Sequence, residues 1–338
     1  MERILKSKYK ILDKVFENQA HVTYKGVFTD SEKPLIIKIF KREMLNSTLI
    51  KSITKEVLPL TRIIHQRIPR LYDGDYGWQG YYFVRDFVEG QCLFETKLPL
   101  EAEEASEIVI QIAEILNEAH KMGLVHGSLT PGNIFVSGNK VLVCDFKIKS
   151  LVMGDIEQRP YLLAGEKASF MAPEMILGEG PGIRSDIFQA GLLLYLMLTG
   201  ELPDNERTGF GRASANLNAD FRPPSSVNGK VPRYLDEIVM FCLQKDPALR
   251  FQSAGQLADS LKNKALMLFK QDIIDLSDIG GFIPEEEKRE PVPAIEKTEE
   301  RIQRKNRPAF IRWVFFAIWA AVAAGIIYSL IQIFVIGE

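Results

Sequence analysis

The amino-acid sequence changes character near residue 100, and that change restricts the possible folds more than any other feature. Before it, β-branched and aromatic residues form short runs between turn residues, at 9–16, 22–28 and 34–40. Such runs are typical of β-strands. After it, apolar residues recur at helical spacing, as at Ile108, Ile112 and Ala119. Strands followed by helices predict an α+β protein with two lobes and a cleft between them.

Further elements follow from the same two patterns. Apolar periodicity predicts helices, and β-branched runs between turn residues predict strands. We expect strands at 68–77 and 79–90, a hairpin at 133–146, and helices at 47–65, 103–123, 185–200, 231–244 and 253–269.

The charge balance excludes one class of partner. The 338 residues include 42 Lys and Arg against 44 Asp and Glu, a formal net charge of −2. The chain therefore lacks the basic excess typical of a nucleic-acid-binding protein. Its cysteines, Cys92, Cys144 and Cys242, lie far apart and form no CxxC pair, which favours neither a zinc site nor a disulfide framework. We expect inert thiols in a reducing compartment.

A long uncharged segment lies near the C-terminus. Residues 313–331 contain no charged side chain, and the apolar character continues to Ile336. As a helix, this segment would cross a hydrocarbon core of about 30 Å. A buried helix of a soluble domain is the alternative. Five basic residues precede the segment: Arg301, Arg304, Lys305, Arg307 and Arg312. We therefore expect a single transmembrane helix at 309–336 that tail-anchors the preceding domain on the cytoplasmic side of the inner membrane.

The segments next to and within this span have features of their own. Residues 271–308 are charged and contain several prolines, as expected of a juxtamembrane linker. Within the span, small side chains recur at every fourth position: Ala317, Ala321, Gly325 and Ser329. Such a stripe lets two membrane helices approach closely and favours a homodimer. A single inert anchor is the alternative, because small residues are common in membrane helices. The first residues contain no apolar run typical of a signal peptide.

Short motifs occur in an order that resembles one family. The stretch IIKIF is similar to a V-A-I-K strand, HGSLTPGNIF to an H-R-D-L-K-x-x-N loop, and CDFK to D-F-G, while MAPEMI contains A-P-E. From about Tyr9 to Phe269 the chain resembles a protein kinase domain of the bacterial and eukaryotic-like Ser/Thr type. The resemblance implies a bilobal domain at 9–270, with a strand-rich N-lobe at about 9–88 and a helical C-lobe at about 89–270.

The resemblance also implies which residues would bind a nucleotide. Lys38 would contact the phosphates of ATP, and Glu56, eighteen residues further on, would hold Lys38 in place. Arg85 and Asp86 would border the nucleotide. Arg85 falls at the gatekeeper position, where its side chain would either fill the space behind adenine or point outward to an acid.

The implied metal ligands and structural residues lie in the second lobe. Asn133 and Asp145 would bind magnesium. Asp186 would support the catalytic loop from beneath, and Arg250 would pair with Glu174. The alternative is that the lysine, the glutamate and the two metal ligands remain only as a network of ion pairs and hydrogen bonds.

The phosphate-binding turn departs from the family pattern G-x-G-x-x-G. Phe16, Asn18 and His21 occupy the three glycine positions, and Glu17 adds a negative charge. Glycine serves such a turn because its backbone approaches phosphate without a side chain in the way. We therefore expect weak ATP binding or a different pose.

The catalytic loop departs further. Ser128 replaces the aspartate that acts as catalytic base, Thr130 replaces the lysine beside the transferring phosphate, and Gly127 replaces an arginine. General-base help contributes about 10²- to 10⁴-fold to a rate. Lys147 replaces the glycine of D-F-G, and it would either reach toward phosphate or fix the segment in an inactive shape.

These departures predict a membrane-anchored pseudokinase, either ATP-responsive or nucleotide-independent, that acts as a scaffold or switch. The alternative is a Ser/Thr protein kinase with weak or unconventional transfer from Mg-ATP to protein hydroxyls, because metal electrostatics and positioning supply most of the catalysis in this class. Transfer of another group from ATP is a third, minor alternative.

Overall fold

A computed structural model of the chain describes residues 3–18, 20–77, 79–148, 166–204, 206 and 208–267. All of them belong to Met1–Asp275, the first of two units into which the chain divides. The second unit, Leu276–Glu338, lies outside the described residues. A strand-rich lobe precedes a helical lobe, so the predicted α+β bilobal architecture is confirmed.

The first lobe is built on a six-stranded antiparallel sheet. Its strands are β1 (Arg3–Leu5), β2 (Tyr9–Glu17), β3 (His21–Phe28), β4 (Pro34–Lys41), β5 (Leu71–Gly77) and β6 (Gly80–Asp86). They lie in the order β1-β2-β3-β4-β6-β5. The sequence predicted all of them except β1, whose three residues are too few to show an alternating pattern.

Side-chain alternation gives this sheet two different faces. On one face, alternate residues of β4 from Leu35 to Ile39 pack against Tyr82 and Val84 of β6. The intervening residues point to the opposite face, where Phe40 belongs to the main core cluster. That second face looks toward the first helix and the cleft.

Helix α1 (Ser47–Leu60) packs on the second face. The Asn46 side chain caps its first turn by accepting a hydrogen bond from the Leu49 N–H at 2.8 Å. Its buried residues recur at helical spacing: Leu49, Ile53, Val57 and Leu60. The helix ends at Leu60, earlier than the predicted residue 65, and Pro59 in its last turn lacks the N–H that would bond to the carbonyl oxygen of Lys55.

The second lobe combines a small antiparallel sheet with a set of helices. The sheet contains β7 (Gln91–Cys92), β8 (Ile134–Ser137) and β9 (Lys140–Val143). The helices are α2 (Ala102–Lys121), α3 (Pro173–Ile176), α4 (Ile183–Thr199), α5 (Gly209–Asn218), α6 (Arg233–Cys242) and α7 (Ala254–Lys262). The predicted hairpin is β8–β9, and the four predicted helices of this lobe are α2, α4, α6 and α7.

Helix α4 forms the centre of this lobe. Every residue from Ser185 to Tyr195 is buried, as expected of a helix surrounded by other elements. At Gly191 an added Cβ would lie 2.5 Å from the Cβ of Cys242, so the close approach of α4 and α6 requires glycine there.

Helix α5 was not predicted, and it holds the segment that precedes α3. The fully buried Asn216 donates from Nδ2 to the carbonyl oxygens of Ser169 and Met171, at 3.1 and 2.9 Å. Its sequence, GFGRASANLN, contains two glycines and polar residues that disfavour an isolated helix. Tertiary contacts therefore stabilise α5.

The predicted membrane segment falls outside these elements. No helix of the described residues is long and apolar enough to span a membrane. The predicted linker at 271–308 and transmembrane helix at 309–336 lie outside the described residues.

Lys245 caps the C-terminal end of α5 from the neighbouring loop. Its Nζ donates to the carbonyl oxygens of Ala215 and Asn216 at 3.1 and 2.9 Å, and it lies 3.5 Å from the ring centre of Phe221. Burial lowers the pKa of the Lys245 ammonium to about 8. The folded protein thus binds this proton less tightly than the unfolded chain does.

This depressed pKa predicts a pH dependence of stability. Between about pH 8 and 10 the unfolded chain keeps the Lys245 proton while the folded protein releases it, so stability rises with pH. Relative to Lys245→Met, the wild type should gain about 1 kcal/mol of unfolding free energy from pH 7.5 to 9.5, after discounting for partial exposure. Urea unfolding measures this difference. Lys140→Met, at an exposed lysine on β9, is the control, and equal pH profiles for all three proteins would contradict the assignment.

Candidate functional site

Two cationic side chains project from adjacent strands into the cleft. Lys38 on β4 pairs in register with Phe83 on β6, and Ile36 pairs with Arg85. Because side chains alternate along a strand, Lys38 and Arg85 share the face opposite the Tyr82 and Val84 cluster. Strand alternation therefore explains why both cations face the cleft.

Both cations engage one carboxylate, that of Asp145. Lys38 Nζ contacts Asp145 Oδ2, and Arg85 Nε donates to Asp145 Oδ1 at 3.0 Å. The side chains of Lys38, Arg85 and Asp145 are 10%, 9% and 3% exposed, respectively. The Arg85 side chain thus points inward to Asp145 rather than outward to an acid.

The surroundings of this cluster are apolar. A cavity of about 20 Å³ lies beside Arg85 and Asp145, lined mainly by apolar residues that include Leu60, Leu71 and Phe146. Burial raises the pKa of the neighbouring Cys144 thiol to about 11, so that thiol is neutral at physiological pH. The cluster therefore lies in a buried, largely apolar environment in which charge interactions are stronger than in water.

Glu56 does not hold Lys38 in the structure. The Glu56 carboxylate contacts Nζ of Lys147, whereas Lys38 is placed on Asp145. The expected ion pair between Lys38 and Glu56 is thus replaced by two pairs, because Lys147 brings a second cation to α1. Lys147 thus forms a partly exposed ion pair that links α1 to the segment after β9.

The backbone at this segment adopts an uncommon conformation. Asp145 has φ 63° and Lys147 has φ 60°, in the left-handed region that residues with a Cβ seldom occupy. Such a conformation costs of order 1 kcal/mol per residue and persists where surrounding contacts enforce it. The contacts at this segment include the hydrogen bond from the Lys147 N–H to the carbonyl oxygen of His126 at 3.0 Å, and the ion pairs of Asp145 and Lys147.

The carboxylate of Asp86 lies away from the cation cluster. Its carboxylate accepts hydrogen bonds from Lys33 Nζ at 2.8 Å, from the Tyr72 hydroxyl at 2.7 Å and from the Arg70 N–H at 3.1 Å. Burial alone would raise the pKa of Asp86, but the hydrogen bonds from Lys33 and Tyr72 lower it. The Asp86 side chain therefore stabilises the outer part of the first lobe, and the structure does not bring it together with Lys38.

The catalytic-loop segment has the predicted polar residues at buried positions. Ser128 and Thr130 are 6% and 9% exposed, and Asn133 is 1% exposed. Asn133 Nδ2 donates to the carbonyl oxygen of Ser128 at 2.9 Å, which closes the loop on itself. The loop thus presents neutral side chains at the two positions where the family pattern has charges.

His126 connects this loop to the residue before Asp145. Its Nδ1 accepts from the Ser128 N–H at 3.2 Å, and its Nε2 lies 3.0 Å from the carbonyl oxygen of Cys144. These partners assign the neutral tautomer with the proton on Nε2. The ring also packs on Phe146, with ring centres 4.7 Å apart. His126 therefore fixes the loop relative to Asp145.

Asp186, at the first turn of α4, supports the loop from beneath as the resemblance implied. Its two carboxylate oxygens accept from the N–H groups of His126 and Gly127, each at 2.8 Å. His120 Nε2 contacts the same carboxylate at 2.8 Å. Gly127 has φ 70°, so an arginine at this position would be strained in the present loop.

The turn between β2 and β3 is closed by its own side chain. Asn18 Oδ1 accepts from the N–H groups of Ala20 and His21, each at 2.9 Å. The His21 ring packs between Phe16 and Phe40, with ring centres 5.6 and 5.3 Å away. Two backbone donors that a glycine turn would offer to phosphate are therefore engaged within the turn.

Glu17 adds less negative charge to this turn than the sequence suggests. Its carboxylate forms ion pairs with Lys14 and Lys41, each at 2.9 Å. The pKa of Glu17 is lowered by its hydrogen bonds to these lysines. The expected repulsion of phosphate by Glu17 is thus reduced by its partners.

The predicted pair of Glu174 and Arg250 is present. Arg250 donates from Nη1 and Nη2 to the two oxygens of Glu174, at 2.8 and 2.9 Å, and Ser185 Oγ donates at 2.6 Å. Burial raises the pKa of Glu174, but these hydrogen bonds lower it by more. The pair joins α3 to the segment before α7 and lies outside the cleft.

Two functional contacts were missed from the sequence. Asn18 has a recognisable signal, because asparagine accepts hydrogen bonds from N–H groups two residues on in tight turns. The pair of Glu56 and Lys147 has none, because their contact depends on the position of α1 relative to a distant segment.

Comparisons with known proteins agree with this geometry. The model of the protein kinase domain family matches residues 11–263. A probable serine/threonine-protein kinase of Clostridium acetobutylicum is 28% identical over 265 residues, which cover 77% of this chain and 40% of that protein. The serine/threonine-protein kinase PrkC of Bacillus subtilis is 26% identical over 319 residues, covering 88% of this chain and 48% of PrkC. The chain thus spans less than half the length of these two relatives.

A solved structure has the same fold. The crystal structure of the Mycobacterium tuberculosis PknI kinase domain matches with a TM-score of 0.62 at 19% identity, covering 78% of this chain and 98% of that domain. At this identity the likeness concerns the fold alone.

The hydrogen bonds of Asp186 predict that a single conservative substitution there lowers the stability of the protein. Asp186→Asn would place an amide N–H₂ against a backbone N–H donor and leave a buried group unsatisfied, at a cost of about 2–3 kcal/mol. Urea unfolding of the variant should show this loss. Asp259→Asn, at an exposed position on α7, is the control, and an equal effect of both substitutions would contradict the anchoring role.

Proposed function

Because the chain belongs to the protein kinase domain family, we propose that it is a membrane-anchored pseudokinase, a signalling protein that works as a scaffold or switch without efficient phosphate transfer. Its relatives include Ser/Thr protein kinases, and proteins of the family generally bind ATP and magnesium. The difference between this chain and an active kinase lies in its catalytic loop.

One observation carries the proposal: Ser128 occupies the position of the catalytic base in a loop whose anchoring contacts are intact. A neutral hydroxyl does not accept a proton near pH 7, and a general base contributes about 10²- to 10⁴-fold to a rate. Thr130 brings no positive charge to the position where the family pattern has lysine. The loop thus retains its shape and lacks two of the groups that would perform the transfer.

Magnesium would have to displace a protein cation in the cleft that the described residues form. The ion takes oxygen ligands, and each oxygen of Asp145 contacts a protein cation. We therefore assign no catalytic step to a metal ion.

ATP, unlike a magnesium ion, carries a negative charge that is opposite to the two cations of this cleft. Its phosphates would meet Lys38 and Arg85, and a ligand that binds two states unequally shifts the equilibrium between them. In this form of the proposal ATP biases partner binding. In the other form the domain is a nucleotide-independent scaffold.

The retention of Lys38, Asn133 and Asp145 favours a second candidate function. These residues are the phosphate contact and the metal ligands that the family pattern implies. With them a Ser/Thr protein kinase of weak or unconventional activity would transfer phosphate from Mg-ATP to protein hydroxyls, because positioning supplies much of the catalysis in this class.

A transfer assay separates the two functions. Incubation of the purified full chain with radiolabelled Mg-ATP and a generic protein acceptor should give no label above that of Asp145→Ala. Ser128→Asp combined with Thr130→Lys restores the base and the cation, and we expect a gain of about 10²-fold or more if these two losses are the main defect.

The controls decide between the alternatives. Wild-type labelling that is lost in both Asp145→Ala and Asn133→Ala would overturn the pseudokinase proposal and establish the weak kinase. Labelling that persists in Asp145→Ala would indicate a contaminating enzyme. A silent double variant would implicate the turn of Phe16, Asn18 and His21 instead.

We extend the proposal to the cell membrane. The uncharged run at 313–331 and the basic residues before it support a transmembrane helix at 309–336 with the kinase-like domain in the cytoplasm, at the inner membrane. The small-residue stripe within it supports a homodimer through the membrane helix.

The stripe makes a prediction for crosslinking in membranes. Gly325→Leu would place a large side chain in the contact and separate the two helices, so the crosslinked dimer should disappear. Ile326→Leu, beside the stripe, is a matched control and should leave the dimer unchanged. A dimer that survives Gly325→Leu would reject the role of the stripe.

A further inference from the structure

We propose that Arg85 takes the place of a divalent cation beside Asp145 and makes the cleft selective for a polyphosphate ligand without bound metal, such as free ATP. The inference rests on the proposed function, because an active kinase domain requires metal ions to neutralise the transferring phosphate. It adds to the proposed function that the ligand is the metal-free form of ATP and that Arg85 selects this form.

The Arg85 guanidinium is held in position by two contacts. Nε donates to Asp145 Oδ1 at 3.0 Å, and Nη1 donates to the carbonyl oxygen of Asp86 at 2.9 Å. The guanidinium is planar and always charged, and its donors are fixed relative to one another. Because β6 positions the backbone and two acceptors orient the group, the cation is present beside Asp145 before any ligand binds.

The second oxygen of the same carboxylate is engaged by the neighbouring strand. Lys38 on β4 contacts Asp145 Oδ2, and β4 and β6 are hydrogen-bonded partners in the sheet. A metal ion that used either oxygen of Asp145 would therefore displace one of two protein cations.

The charge of the cluster opposes a metal and favours an anion. Two cationic side chains face one carboxylate, and each of these three side chains is at most 10% exposed. Charges interact more strongly in such an environment than in water. A divalent cation would enter against two positive charges, whereas a polyphosphate would be attracted by them. Free ATP therefore matches the cleft better than its magnesium complex does.

Two backbone N–H groups of the turn between β2 and β3 are not available to bind phosphate. Asn18 Oδ1 accepts from the N–H groups of Ala20 and His21, so these two amides are engaged within the protein. Phosphate recognition then depends on Lys38 and Arg85 rather than on a glycine turn, which raises the importance of the Arg85 charge.

A binding experiment with and without metal tests the inference. Full-length protein in detergent is titrated with ATP by calorimetry, in EDTA and in excess Mg²⁺ or Mn²⁺, and its thermal unfolding is recorded under the same conditions. The wild type should bind ATP in EDTA at least as tightly as with metal. Arg85→Met should weaken binding in EDTA about tenfold, as expected for loss of a charged contact, and binding should then depend on metal.

Two further variants control the experiment. Arg62→Met removes an exposed arginine just after α1 and should behave like the wild type. Arg85→Lys keeps the charge and should keep metal-free binding. The wild-type comparison decides the inference even if Arg85→Met does not fold.

Three results would overturn the inference. They are wild-type binding that requires metal, absence of ATP binding in EDTA, and an Arg85→Met variant with wild-type metal dependence. None of these results requires phosphate transfer, so the inference and the proposed function fail on different measurements. Labelling by radiolabelled ATP contradicts the proposed function, whereas a metal requirement without labelling contradicts only the role of Arg85.

Discussion

The fully buried carboxylate of Asp186 is the interaction on which the arrangement of the cleft depends. It joins the first turn of the central helix α4 to the backbone of the catalytic loop, at His126 and Gly127. Because it binds backbone N–H groups, the loop keeps its path when side chains such as Ser128 change. A kinase fold can therefore lose catalytic groups one by one while its loop geometry persists.

Much of the fold was predictable because its signals are local. Alternation in β4 and β6 places Lys38 and Arg85 on one face, and helical spacing predicts α1 and α2. Helix α5 was not predictable, since its own residues form a poor helix and its stability comes from Asn216 and Lys245. The sequence also overestimated the length of α1, where a proline lies in the last turn.

The sequence predicted Lys38, Arg85 and Asp145 as residues of one site, and the structure brings these three side chains into contact. The sequence did not predict which of them pair with each other. Which cation each acid contacts is decided by distances between elements far apart in the chain, as for Lys38 and Asp145, 107 residues apart. Lys147 changed that outcome by offering Glu56 a different partner. The contacts of Asp86 were likewise not predictable from the sequence, because Lys33 and Tyr72, which are distant in the chain, bind its carboxylate away from Lys38.

The small cavity beside Arg85 has a consequence for chemical probes of this protein. Its volume of about 20 Å³ is room for about one water molecule. A selective compound would instead carry an acidic group that approaches the guanidinium from the cleft side. Compounds built on uncharged rings that extend inward past this position would have to displace the Arg85 guanidinium from Asp145.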